Sequence, residues 1–165
     1  MLSKTIEQAL NEQVTVEFQN NRLYLAMSAY FQSMNLTGFA AYMRAQAEEE
    51  NGHAVRLIDY IQDRGARVSI GALEAPPFSW DSPLAAIEDA YKHEQNNTER
   101  INQIIARSHK ESDFATTLSL QNLVTEQVKD EATAHEILEK MKLLASAPSG
   151  LYLMDREMWQ RAQRA

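Results

Sequence analysis

Polar side chains interrupt apolar helical stripes at matched intervals, and this pattern constrains the fold more than any other feature of the chain. Glu17 and Glu50 stand 33 residues apart, and so do Glu94 and Gln127. A shift of 77 positions carries Glu17, Glu49, Glu50 and His53 onto Glu94, Glu126, Gln127 and Asp130. On a helix Glu50 and His53 are i and i+3, so both project from one face. Phe39, Met43, Ala47, Leu57 and Ile61 share that face. A stripe of this kind faces a core, and a carboxylate and an imidazole inside it need compensation, which a metal ion can supply.

Glu-x-x-His by itself does not specify metal, because a solvated or hydrogen-bonded pair has the same spacing. The match of four positions at one offset is more specific. Helix bundles with di-metal carboxylate sites take one Glu from each of two helices and a Glu-x-x-His type motif from each of the other two. Here the first half carries Glu-Glu-x-x-His and the second half Glu-Gln-x-x-Asp.

The pattern divides into five predicted helices and no strands. Ser3 caps the first, which runs to about Met34 with Ile6, Leu10, Val14, Glu17, Tyr24 and Phe31 near helical spacing. Asn35-Leu36-Thr37-Gly38 is a turn, and a second helix covers about Phe39 to Arg64, with Gly65 as its C′ residue. The stretch from Gly65 to Ser82 has no period. A 26-residue helix is about 40 Å long, whereas 18 extended residues reach about 60 Å. This segment can therefore cross a whole bundle and make the flanking helices parallel, with Leu73, Phe78 and Trp80 packed along the way. Ser82 caps a third helix with Pro83 at its first position; Ile87, Ala90, Tyr91, Glu94, Ile101 and Ile105 share its inner face. After a turn at Ser112-Asp113, a fourth helix from Phe114 to about Ala145 directs Leu120, Val124, Gln127, Ala134, Leu138 and Met141 inward. Ala147-Pro148-Ser149-Gly150 ends it, and a fifth helix over about 151–163 groups Leu151, Met154, Met158 and Trp159. So apolar a terminal helix needs a surface to cover, in its own bundle or on another subunit. His93, His109 and His135 have no matched partners and are read as surface histidines.

The register closes the site. Glu17 lies 19 residues before Leu36 and His53 17 after it, while Glu94 and Asp130 each lie 18 residues from Ser112. All four helices thus present their polar residues at one height. The expected architecture is all-α, a single domain over 1–165 with a four-helix bundle at about 3–145, one long crossover, and the short fifth helix.

Composition removes several classes of function. The net charge of −7 disfavours non-specific nucleic-acid binding and mildly favours cations. No apolar run approaches the ~18 residues of a membrane span, and the first residues lack a secretory apolar region, so a cytoplasmic location is expected. The absence of cysteine excludes disulfides, Cys-ligated zinc, iron–sulfur centres and thiol nucleophiles.

With these motifs, the proline-containing crossover and a last helix opening Gly150-Leu151-Tyr152, the chain resembles the prokaryotic non-haem ferritins over essentially its whole length. The resemblance implies an iron-oxidising (ferroxidase) centre in each subunit, with Fe(II) and O2 or peroxide as substrates. It also implies a hollow homo-oligomeric shell, a 24-mer, holding ferric oxide mineral. By resemblance Glu17, Glu50 and His53 hold the first iron, Glu50 bridges, Glu94 and Gln127 complete the second, and Tyr24 is the tyrosine beside the centre. Glu49, Glu126 and Asp130 match a third iron site, although Lys129 stands where members with the full site have another carboxylate. Thr117 and Leu120 replace the acidic three-fold pore lining of animal ferritins. Asn51 replaces the haem-ligating Met of bacterioferritins, so no haem is expected, and rubrerythrins are excluded by the lack of cysteine. Two other readings compete: a di-iron oxidase or peroxidase that stores nothing, and a bundle whose polar core is satisfied by hydrogen bonds. The matched repeat argues against the bundle satisfied by hydrogen bonds, and the apolar fifth helix favours storage over the free enzyme.

Overall fold

In the computed structural model, which describes residues 1–144, 147 and 149–164, helices begin and end where local chemistry dictates. Helix α1 spans Lys4–Ser33, and the Ser3 hydroxyl accepts from the Ile6 N–H at 3.2 Å, satisfying one orphan donor of the first turn. Helices α2 (Thr37–Asp63) and α3 (Pro83–Lys110) complete two hairpins with α1 and with α4 (Phe114–Leu144), and α5 covers Gly150–Ala162. Asn35, Gly65 and Ser112, each just past a helix end, take φ of 60°, 70° and 57°. At all three, the next N–H reaches back to the carbonyl of the third-last helical residue: Leu36 to Phe31 (3.0 Å), Ala66 to Ile61 (3.1 Å) and Asp113 to Ser108 (2.8 Å). Ser82 caps α3 through the Ala85 N–H at 3.1 Å, and Asp113 caps α4 through the Thr116 N–H at 3.2 Å. The expected end of α4 at Ala145 and the Pro148 of the following stop lie outside the described residues.

The crossover lies along α1 and is held rung by rung. Asn11, Thr15 and Gln19, one turn apart, bond the main chain at Ser69 (2.7 Å), Gly71 (2.9 Å) and Glu74 (2.9 Å) respectively. Trp80 then packs edge-on to Tyr30 at 5.3 Å and donates to Asp89 at 2.9 Å. The segment therefore starts α3 at the same end of the bundle as α2, and the two run parallel. Phe78 differs from expectation: it stands 98% exposed, because the crossover is anchored by polar rungs and Trp80 rather than by an apolar seam.

Two apolar slabs fill the bundle. One holds Met27, Phe31, Phe39, Met43, Ile87, Ile137 and Leu138; the other holds Ile6, Leu10, Val14, Leu57, Ile61, Ile101 and Leu120. Between them lies a layer of buried polar side chains. Tyr91, Ile105, Val124 and Ala134, expected inside, are only half-buried; Ile104 and Leu123, each one residue earlier in the chain, are buried in place of Ile105 and Val124, and Ile137 is buried beside the expected Leu138.

Helix α5 folds back onto its own bundle. Met154 and Met158 are buried, whereas Leu151 and Trp159, expected on the same face, remain 36% and 50% exposed beside Tyr152 and Leu153. The α5 backbone approaches α2 so closely that a Cβ on Gly38 would lie 1.8 Å from the Asp155 carbonyl oxygen. Asp155 in turn accepts from the Gly38 and Phe39 N–H groups at 2.8 and 3.0 Å. Leu36 gives α2 no side-chain cap of its own; the cap comes from α5, which is why α2 starts at Thr37 and not at Phe39.

Candidate metal centre

The polar layer holds Glu17 from α1, Glu50 and His53 from α2, Glu94 from α3 and Gln127 from α4, each buried to within 5% of complete. Glu17, Glu50 and His53 offer ligand atoms that all lie within 4.8 Å of one another. His53 Nδ1 is 3.7 Å from Glu50 Oε2 and 3.9 Å from Glu17 Oε2. Two ligands about 2.1 Å from an octahedral ion are about 3.0 Å apart when adjacent and about 4.2 Å when opposite. The observed separations fall in that interval.

Polar satisfaction gives a second, independent sign. Glu50 Oε2 and both ring nitrogens of His53 are buried without a hydrogen-bond partner, as is Gln13 Oε1. Such atoms are rare, because each carries an uncompensated desolvation cost of about 1–3 kcal/mol. Two of them, Glu50 Oε2 and His53 Nδ1, face each other beside Glu17, and a cation placed between them satisfies both, while His53 Nε2 on the far side of the ring faces Glu126 Oε2. The donor set of carboxylates and imidazole suits a divalent first-row metal such as Fe(II).

The carboxylates carry the electrostatic imprint of burial. Burial, followed by contact with Glu50, holds the Glu17 carboxyl well above the usual range. Glu50 is pushed up to about 8, chiefly by burial and despite its bonds to Glu17 and Asn20. Glu94 is raised by burial, and the hydrogen bonds it accepts from Tyr24 and Gln127 oppose the rise. Burial and the Glu94 charge push the Tyr24 phenol up. In each of these carboxyls burial favours the neutral form over the charged one, a balance that a nearby cation reverses.

Glu94 is satisfied from both sides. Tyr24 donates its hydroxyl proton to Glu94 Oε1, and Gln127 Nε2 donates to Glu94 Oε2 at 2.6 Å and to the Glu94 carbonyl at 3.2 Å. The residues of the expected third site lie further out and are scattered among other partners. Glu126 accepts two bonds from Arg56 (2.6 and 3.2 Å), which draw its carboxyl below the usual range, while its Oε2 also lies 3.4 Å from His53 Nε2. Glu49 accepts from Gln46 at 2.8 Å. Asp130, pushed up to about 7 by burial and then by Glu49 and Glu94, lines an open cavity of about 770 Å³ between α2, α4 and α5. A smaller cavity of about 20 Å³, room for one water, lies beside Tyr24 and Glu94, and Tyr42, Gln46 and Asp130 border both.

Three histidines were expected outside the site. His109 and His135 are exposed, and His93 is half-buried beside Asp89 at 3.8 Å. Sequence reasoning missed Gln13, Asn97 and Arg56. Gln13 is one turn before Glu17 and Asn97 three residues after Glu94, so both lie in the inner stripes and were legible as buried polar positions. The Arg56–Glu126 pair joins α2 to α4 and left no trace in local spacing.

The family profile for the ferritin-like domain matches residues 7–144. The bacterial non-heme ferritin of Bacteroides fragilis (strain 638R) is 35% identical over 161 residues, covering 98% of this chain and all of the relative. That of Escherichia coli O6:H1 is 34% identical over 158 residues, covering 96% of each. Among solved structures, the open pore ferritin of the hyperthermophilic archaeon Archaeoglobus fulgidus superposes with a TM-score of 0.94 at 43% identity, covering 96% of this chain and 98% of that one. With a matching profile, full-length relatives and a shared fold, the chain belongs to the ferritin family, with bacterial non-haem ferritins among its relatives.

Proposed function

We propose that this protein is an iron-storage ferroxidase. Iron storage is the general function that ferritin membership supports. The observation that carries the finer reading is that two unpartnered buried atoms, Glu50 Oε2 and His53 Nδ1, face one point beside Glu17. In this reading Glu17, Glu50 and His53 take one Fe(II), and Glu50 and Glu94, with Gln127 beside them, take a second, Glu50 bridging. Three carboxylates set against two divalent ions remove most of the burial cost of both.

Each Fe(II) gives up one electron. O2 accepts the two electrons with two protons and leaves as hydrogen peroxide, or peroxide accepts them with two protons and leaves as two waters. Hydrolysis of the Fe(III) product then releases protons as oxide forms. The chain contributes placement and charge: the apolar slabs exclude bulk water, the raised carboxyls release protons as cations enter, and Tyr24 sits beside the centre with its hydroxyl donating to Glu94. Glu49, Glu126 and Asp130 offer carboxylates for a third iron between the centre and the outer cavity, where Glu126 is shared with Arg56. The exposed Leu151, Tyr152, Leu153 and Trp159 of α5 support association with further copies into a shell.

Among the described residues no helix is long and apolar enough to cross a membrane. Aerobic addition of Fe(II) in excess, followed by size analysis of the iron-bearing particle, tests the reading. Ferric iron should elute inside one large protein particle. Fast oxidation with iron released as free precipitate from a small oligomer points instead to a non-storing di-iron oxidase.

A further inference from the structure

Gln13 and Asn97 are each 1% exposed, although neither belongs to the ligand set proposed above. Together with Gln127 they form a chain of amides linking Glu17 to Glu94. Gln13 Nε2 donates to Glu17 Oε1 at 2.7 Å and to Asn97 Oδ1 at 2.6 Å. Asn97 Nδ2 donates to Gln127 Oε1 at 3.2 Å and to Glu17 Oε2 at 3.4 Å. Gln127 Nε2 completes the chain on Glu94.

Donor and acceptor rules allow each amide one orientation. The Gln127 atom facing Glu94 meets the Glu94 main-chain carbonyl oxygen, which only accepts, so it is the nitrogen. The Gln127 oxygen therefore faces Asn97. Asn97 must meet that oxygen and Glu17 Oε2 with its own nitrogen, leaving its oxygen for Gln13. Asn97 is the one link that bonds both a ligand of the first metal position and a neighbour of the second. The consequence is chemical, because an amide binds a hard cation through its oxygen and not through its nitrogen.

We propose that Asn97 is a positioning residue: it holds the Gln127 nitrogen toward Glu94, so that Gln127 serves the second metal position as a hydrogen-bond donor to Glu94 and not as a ligand. In doing so Asn97 sets the ratio of affinities between the two positions. The inference rests on the two-position reading under Proposed function. A turned amide would give the second position one more oxygen, whereas Asn97 keeps that position weaker than the first and its ion easier to pass on.

Titration of Co(II) into the metal-free protein, followed by calorimetry and by the visible d–d bands, separates the possibilities. Wild type should show two unequal steps, and a single step would remove the two-position reading itself, and this inference with it. Asn97→Leu fills the same space but leaves Gln127 Oε1 without a donor. With an ion at the second position the freed amide should then turn its oxygen to that ion, the second dissociation constant should fall about tenfold, and the first should stay within about twofold. The gain should vanish when Gln127→Leu is combined with Asn97→Leu. Parallel weakening of both steps, or a gain that survives Gln127→Leu, overturns the proposal. If Asn97→Leu does not fold, Asn97→Asp keeps the shape and repels the Gln127 oxygen, and it should shift the affinity ratio toward the second position. A shift toward the first, as added negative charge beside Glu17 alone would produce, overturns it equally.

Discussion

In the α1/α2 half of the centre, Glu50 Oε2 and both ring nitrogens of His53 are buried without hydrogen-bond partners. In the α3/α4 half, Glu94 accepts from Tyr24 and Gln127, Gln127 accepts from Asn97, and Glu126 is held by Arg56. The two halves occupy matching positions of the internal repeat yet differ in what a cation meets. A cation entering the first half supplies missing interactions; one entering the second must compete with bonds already made. Unmade bonds in a buried site are costly and made ones contribute only modestly, so the first half should bind earlier and tighter. The residue types explain the difference. His53 has Asp130 as its counterpart, and Glu50 has the neutral Gln127, which can donate a bond where a carboxylate can only accept.

Removing the first half should therefore have the largest effect. His53→Ala is expected to slow the rapid phase of Fe(II) oxidation by about 100-fold or more in stopped-flow absorbance, with helix content by circular dichroism unchanged. Gln127→Leu, which tests the second half, should cost about tenfold or less. Equal losses in the two variants would erase the distinction between the halves.

A pH measurement sharpens the same contrast. Glu50 titrates at about 8 in the folded chain against an ordinary 4.5. Between those values the folded state keeps a proton that the unfolded state has released, so stability falls as pH rises. Below about 4.5 both states are protonated, and above about 8 neither is. The metal-free protein should thus lose Tm from pH 5 to 8, and Glu50→Gln should flatten that slope. Saturating divalent metal should do likewise, because the cation replaces the proton. A Tm that rises over this range in the wild type contradicts the assignment.

Smaller effects belong to the edges. Asp155→Ala removes the cap that α5 places on α2 and should cost about 1 kcal/mol of stability, read from chemical denaturation. Gly38→Ala should cost more, because its Cβ has no room beside the Asp155 carbonyl. Tyr24→Phe should leave metal binding intact and change only the later phase of oxidation. Identical progress curves at every iron loading would reduce Tyr24 to a core aromatic.

Much of the layout was legible in the sequence because it follows from expensive choices. A glutamate inside an apolar stripe is costly to bury, so Glu17, Glu50 and Glu94 announced themselves, and the repeat assembled them. Helix ends were legible where they depend on local chemistry, as at Ser3, Gly65, Ser82 and Asp113. Features that depend on distant partners were not. The cap on α2 comes from Asp155, 117 residues beyond Gly38. Arg56 reaches Glu126 from another helix, and the exposure of Phe78 follows from polar rungs whose other halves lie on α1. The orientation of an uncharged amide such as Asn97 has no signature in periodicity; it emerges only once its neighbours are placed.

The central claim, that the first half fills before the second, is most directly tested by anomalous diffraction from crystals loaded anaerobically with Fe(II) at increasing equivalents. At one equivalent per subunit the anomalous peak should lie between Glu17, Glu50 and His53, and a second peak beside Glu50 and Glu94 should rise only at higher loading. A first peak beside Glu94 and Gln127, or two peaks of equal height from the lowest loading, would contradict the account.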